Sequence, residues 1–261
     1  EVPEYGRSAQ GIPIINLLGI NNKEKISAVI NVSHAANDDD KFLFFTTKYG
    51  TVKRTPVPEF KNIRSNGLKA INLHDGDELI NVNVIKDGQL MIIGTHNGYA
   101  LSFDSDVVRS MGRSAAGVRG IRLRDEDYVI GAAPLNPDSK VLVISENGFG
   151  KQTPAREYPI KGRGGLGVKT VNVTAKNGPL VGLTTVDGDE DIMLVTDRGV
   201  IIRFGIETVS QTGRSAVGVH LIKMDKGTKV ATMAKVEKES DDDEEGQDES
   251  AQTPVNSEDH Q

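Results

Sequence analysis

Arginine returns along this 261-residue chain as Arg7, Arg64, Arg113, Arg163 and Arg214. The interval, about fifty residues, is of the size that marks repeat architectures. Four of the five follow a glycine: Gly6, Gly112, Gly162 and Gly213. A guanidinium grips phosphate through two parallel hydrogen bonds. A neighbouring glycine lets backbone N–H groups approach the same oxygens. A second basic series comprises Lys53 with Arg54, Lys151 and Arg203, and Lys161 stands just before Gly162-Arg163. In a repeat array equivalent positions occupy equivalent surfaces, so one cation per repeat makes a stripe of positive charge. That chemistry is polyanion binding. Its competitor is structural: arginines that cap turns or pair with acidic loops.

Other chemistries find no support. The chain has no cysteine, so it has neither disulfides nor thiolate metal ligands. His34, His74, His96, His220 and His260 are scattered without metal-ligand spacing. Asp38-Asp39-Asp40 and Asp187-Gly188-Asp189-Glu190-Asp191 lack the calcium-loop pattern and read as solvated turns. Gly162-Arg163-Gly164-Gly165-Leu166-Gly167 resembles a nucleotide loop, but no helix follows it. No catalytic constellation, cofactor site or metal site is expected. With few aromatics and no tryptophan, duplex-backbone contact fits better than stacking on single strands.

The elements that position these residues recur with them. Each copy begins with an apolar run: Phe42-Leu43-Phe44-Phe45, Leu90-Met91-Ile92-Ile93, Val141-Leu142-Val143-Ile144 and Ile192-Met193-Leu194-Val195. A turn ending in Gly50, Gly98, Gly148 or Gly199 follows, then a return strand. A second glycine comes later, at Gly67, Gly117, Gly167 and Gly218. Beyond it lies an alternating segment such as Val118-Arg119-Gly120-Ile121-Arg122-Leu123, expected to have one buried and one wet face. The fold class is therefore all-β, a propeller-like array of four-stranded blades that bury their faces against one another. The repeat domain is expected over 1–235, with a half blade at 1–40 and blades near 41–88, 89–138, 139–189 and 190–235. The chain is expected to start inside a repeat, since Gly6-Arg7-Ser8-Ala9-Gln10-Gly11-Ile12 matches Gly112-Arg113-Ser114-Ala115-Ala116-Gly117-Val118.

Charge is segregated. From Val236 to Gln261 eleven acidic residues face a single lysine, leaving a body with 30 basic and 26 acidic groups. The segment 236–261 is expected to be a disordered acidic tail. A basic body with an acidic tail suggests a polyanion partner or a segment that competes with one. No apolar stretch approaches a membrane span. The absence of cysteine agrees with a cytoplasmic setting.

These repeats resemble the C-terminal domain of DNA gyrase A, of Gram-positive type. The likeness runs over roughly 1–235 and includes Ile63-Arg64-Ser65-Asn66-Gly67-Leu68-Lys69-Ala70, Ser110-Met111-Gly112-Arg113-Ser114, Glu157-Tyr158-Pro159 and Gln211-Thr212-Gly213-Arg214. The resemblance implies a β-pinwheel, a propeller whose blades exchange strands, with duplex DNA wrapped on its basic rim. It implies support of ATP-dependent negative supercoiling by a type IIA topoisomerase, with the remainder of gyrase A and with gyrase B as partners. The family's first-blade box, Gln-Arg-Arg-Gly-Gly-Lys-Gly, is absent, and Lys161–Gly167 is a degenerate relative of it. The chain itself is not expected to be an enzyme, and none of its tyrosines is assigned the strand-cleaving role. The alternatives are the corresponding domain of topoisomerase IV and a propeller that binds proteins.

Overall fold

The computed structural model describes residues 40–61 and 67–238, together with Ile12, Pro13, Asn16 and Ile26. Arg7, Arg64, most of the half blade at 1–40, and tail residues 239–261 lie outside the described residues.

The apolar runs form the second strand of each blade, counted from the inside. The first blade is β3 (Leu79–Lys86), β1 (Lys41–Thr47), β2 (Thr51–Pro56) and β6 (Val118–Arg119), in that spatial order. The second is β7 (Val129–Pro134), β4 (Leu90–Thr95), β5 (Tyr99–Asp104) and β10 (Val168–Lys169). The third is β11 (Leu180–Val186), β8 (Lys140–Ser145), β9 (Phe149–Pro154) and β14 (Val219–His220). The last described blade has β15 (Val230–Glu237), β12 (Glu190–Thr196) and β13 (Ile201–Gly205). β15 runs two residues into the segment read from charge as a tail, because Val236 and Glu237 pair with Asp191 and Glu190.

The outermost strand of each four-stranded sheet comes from the following repeat. β6 pairs with β2 through Val52↔Val118 and Thr51↔Arg119, and the same register recurs at β5–β10 and β9–β14. All pairings between the described strands are antiparallel. The expected strand exchange is thus present.

Both repeating glycines serve this exchange. The carbonyl of Gly50 accepts N–H groups from Gly120 and Ile121, and that of Gly98 accepts from Thr170 and Val171. Two donors on one carbonyl break the alternation after two ladder residues, so Gly120 and Ile121 are both buried. The sequence pattern of one wet and one buried face therefore holds only around that irregularity. The second glycine has positive φ and enters tightly: a Cβ on Gly117 (φ 107°) would stand 2.5 Å from the Val52 carbonyl oxygen.

The apolar runs of β4 and β8 lack alternation because these strands are buried on both faces, as in a stack of layers, whereas β12 of the last described blade alternates buried and half-buried residues. Met91 and Ile93 join a cluster with Phe44, Val52 and Phe103 toward the first blade. Ile92 between them joins Val141 and Val143 of the third. Leu142 and Ile144 point on to Ile192 and Leu194 of the last. A hydroxyl closes each hairpin: Thr47, Thr95, Ser145 and Thr196 accept the N–H of the residue four positions on.

Candidate nucleic-acid interface

β3, β7, β11 and β15 pack side by side and line one central cavity with Asn81, Asn83 and Lys235. The donated strands consequently form the opposite, outer edge of the blades. The arginine loops lie along this edge. Each starts after a parallel bridge to the return strand, Arg54↔Ser110, Ser102↔Ile160 or Gln152↔Gln211, and ends where the donated strand begins.

Arg113, Arg163 and Arg214 occupy matched places on the seam with the preceding repeat. Arg163 Nε donates to the Val107 carbonyl at 3.1 Å, and its Nη1 to the Arg119 carbonyl at 3.1 Å. Arg214 Nη1 donates to the Lys169 carbonyl at 3.3 Å, while its backbone N–H donates to Glu157 Oε2 at 3.1 Å. Arg113 Nε lies 4.0 Å from Glu59 Oε2. Arg163 is exposed, and the other two are half-buried. These side chains strap successive repeats and present cationic surface at the same time. Lys161 is exposed beside them.

Three residues expected on the phosphate-binding surface are not on it. Lys53 and Lys151 are fully buried. Lys53 Nζ donates to the carbonyls of Ala70 and Arg113, and Lys151 Nζ to those of Gly213 (2.6 Å) and Arg214. They hold the arginine loops from beneath. Arg54 is buried as well; it pairs with Asp87 at 2.8 Å and Asp106 at 2.7 Å and lies over the Phe42 ring. The short Asp106 contacts, first from the Gly88 N–H and then from Arg54, hold that carboxyl below its usual range. Arg54 ties the β3–β4 turn to the next repeat. Arg203 remains on the surface but is engaged by Asp191 Oδ2 at 2.8 Å and by the Glu237 carbonyl.

Desolvation pushes both buried lysines down from 10.5 to about 8; Glu59 and Glu157 respectively oppose the shift, and Arg113 and Arg214 respectively add to it. In the unfolded chain a lysine titrates near 10.4. Between those values the unfolded state holds protons that the folded state has released, so stability rises with pH there. Urea titrations from about pH 8 to about pH 10 should show the wild type gaining stability relative to Lys53→Met/Lys151→Met. A flat or reversed difference would contradict the buried-ammonium assignment.

The sequence reading missed another basic series. Two residues after each second glycine stand Lys69, Arg119, Lys169 and His220, and five residues after it Asn72, Arg122, Asn172 and Lys223; all eight are exposed. Arg119 and Lys169 lie on the donated strands, and their carbonyls receive the guanidinium groups of Arg163 and Arg214. Asn72 N–H to Ala115 O and Arg122 N–H to Gly165 O tie these segments to the arginine loops in the same way. Two basic residues therefore meet at the seams of Arg163 with Arg119 and of Arg214 with Lys169. Among the described residues no cluster of three or more His, Cys, Asp or Glu side chains is placed to hold a metal. No helix among them is long and apolar enough to cross a membrane.

A family model described as the DNA gyrase C-terminal domain, beta-propeller, matches residues 1–33, 41–86, 89–136, 139–187 and 190–237. The chain belongs to the DNA gyrase C-terminal domain family. The DNA gyrase A protein of Staphylococcus epidermidis (strain ATCC 12228) is 46% identical over 243 residues. That match takes in 92% of this chain and 27% of the relative, so the chain spans about a quarter of the relative's length. A solved C-terminal domain of DNA gyrase A superposes with TM-score 0.77 at 26% identity, covering 88% of this chain and 75% of that one. The C-terminal domain of DNA topoisomerase IV gives 0.79 at 27%, covering 87% and 71%. The backbone does not separate the two topoisomerase types, and the gyrase A likeness of this domain rests on sequence.

Proposed function

We propose that this domain binds duplex DNA along its outer edge, through Lys69, Arg113, Arg119, Lys161, Arg163, Lys169 and Arg214. The observation that carries the reading is the meeting of a loop arginine with a donated-strand cation at successive seams. A row of such pairs matches a duplex, which carries a negative charge about every 1.7 Å of its axis. Contacts are to phosphate and backbone, so binding is independent of sequence. Within a complete type IIA topoisomerase in the cytoplasm, the edge wraps DNA and supports ATP-dependent negative supercoiling together with the remainder of gyrase A and with gyrase B.

The test is duplex affinity against salt. Seven phosphate contacts give log K a slope of about −6 against log salt, at roughly −0.9 per contact. Binding without salt dependence, or no duplex binding at low salt, removes the reading. A second reading, a topoisomerase IV-type domain, draws on the near-equal structural likeness. Reconstitution with the remaining components of each enzyme distinguishes them: negative supercoiling supports gyrase, and relaxation or decatenation alone supports topoisomerase IV.

A further inference from the structure

The repeats support their arginine loops in two different ways. The position of Lys53 is filled in the later repeats by Leu101, Lys151 and Ile202. Six residues beyond it stand Glu59, Val107, Glu157 and Thr208, so an acid occurs only where the earlier residue is a lysine. Glu59 Oε2 lies 4.0 Å from Arg113 Nε. Glu157 Oε2 accepts the backbone N–H of Arg214 at 3.1 Å. Each carboxylate also favours the charged form of the buried lysine beneath its loop, against the desolvation that disfavours it. Both acids are exposed. The Arg163 loop has no such acid. Val107, 46% exposed, offers its carbonyl to Arg163 Nε instead, and the adjacent Asp106 is turned to Arg54 and the Gly88 N–H. Among the described residues no carboxylate engages Arg163.

We propose that Glu59 and Glu157 are built-in competitors of DNA phosphate at the Arg113 and Arg214 seams, and that Arg163 is the principal arginine anchor between them. The inference rests on the outer-edge reading and grades it: the three loop arginines are not equal. A phosphate that reaches Arg113 meets a carboxylate already beside the guanidinium. One that reaches Arg214 finds the loop N–H already taken by a carboxylate. Like charges brought together in a contact oppose binding, and each acid cancels part of the positive potential that draws a polyanion. Exposed ion pairs are weak, so a duplex displaces these acids and is not excluded by them. At Arg163 no anion has to leave. Its partners there are two carbonyls, which hold the guanidinium in place and leave its charge uncancelled. Lys161 is exposed on the same loop and adds to that charge. A duplex is thus gripped at the middle seam and released more readily at the seams on either side.

Duplex affinities of full-chain variants test this, measured at about pH 6.5 and about 0.1 M salt. Lys53 and Lys151 titrate at about 8, so both stay charged there. Glu59→Gln/Glu157→Gln should raise affinity roughly tenfold. Asp75→Asn/Asp125→Asn removes the same charge from two exposed turns and should raise it less than about threefold. A damaged fold does not produce a gain. Val107→Glu, at an exposed position, should lower affinity by about tenfold while the thermal transition is retained. Arg163→Ala should cost roughly tenfold, against about twofold for Arg113→Ala or Arg214→Ala. If the glutamine pair only matches the asparagine pair, or the three arginine variants lose affinity equally, the competition is overturned and the outer-edge reading stands. If none of the arginine variants changes affinity, that reading fails and the inference fails with it.

Discussion

Replacing Lys69, Arg119 and Lys169 together by alanine lowers duplex affinity at about 0.1 M salt by a few hundred-fold and flattens the salt slope by roughly three. All three are exposed, and each recurs two residues after a repeat glycine. Each lost phosphate contact removes about 0.9 from the slope, which at this salt is close to a tenfold loss of affinity. The neighbouring arginines strap onto the backbone of Arg119 and Lys169, not onto their side chains, so the seams survive the change. Thermal stability should hold within about 0.5 kcal/mol, as expected for exposed substitutions. Lost affinity without lost stability assigns the effect to charge. If affinity and slope are unchanged, phosphate lies elsewhere on the domain.

Gly117→Val should be the more damaging change to the fold. The glycine has φ 107°, a region that β-branched residues do not enter without strain. The new Cβ would also stand 2.5 Å from a backbone oxygen of β2, which has no flexible end to yield. The cost is about 3 kcal/mol. Because Gly117 leads β6 into the first blade, the damage falls on a strand exchange, and Arg119 moves with it. Gly76→Val is the comparison: φ is positive there too, at 75°, but nothing lies within 4 Å. A clearly smaller loss at Gly76 separates close approach from backbone strain. Equal losses would mean that the exchange contact contributes little.

Much of the architecture was legible because one unit is written several times. Gly50, Gly98, Gly148 and Gly199 mark the hairpins, and the uninterrupted apolar runs mark strands buried on both faces. Periodicity alone did not reveal that Val118-Arg119 belongs to the preceding blade; only the family likeness carried that expectation. The charged residues were harder to place. Lys53 and Lys151 share their repeat position with Leu101 and Ile202, and that apolar company was the signal that the position faces inward. Burial of a lysine depends on carbonyls more than fifty residues away, at Arg113 and Arg214, which local pattern does not show. Lys69, Arg119 and Lys169 alternate with apolar neighbours and so read in the sequence as an ordinary solvated face. The exchange sets Arg119 and Lys169 beside the loop arginines Arg163 and Arg214, which no local pattern shows.

Amine-reactive labelling with and without bound duplex, read by mass spectrometry, tests the outer-edge assignment most directly. Lys69, Lys161 and Lys169 should be modified in the free domain and protected by DNA, while Lys235 beside the central cavity should react equally in both states. Protection of Lys235 with unchanged labelling at Lys69 and Lys169 would place the duplex on another surface and contradict the account.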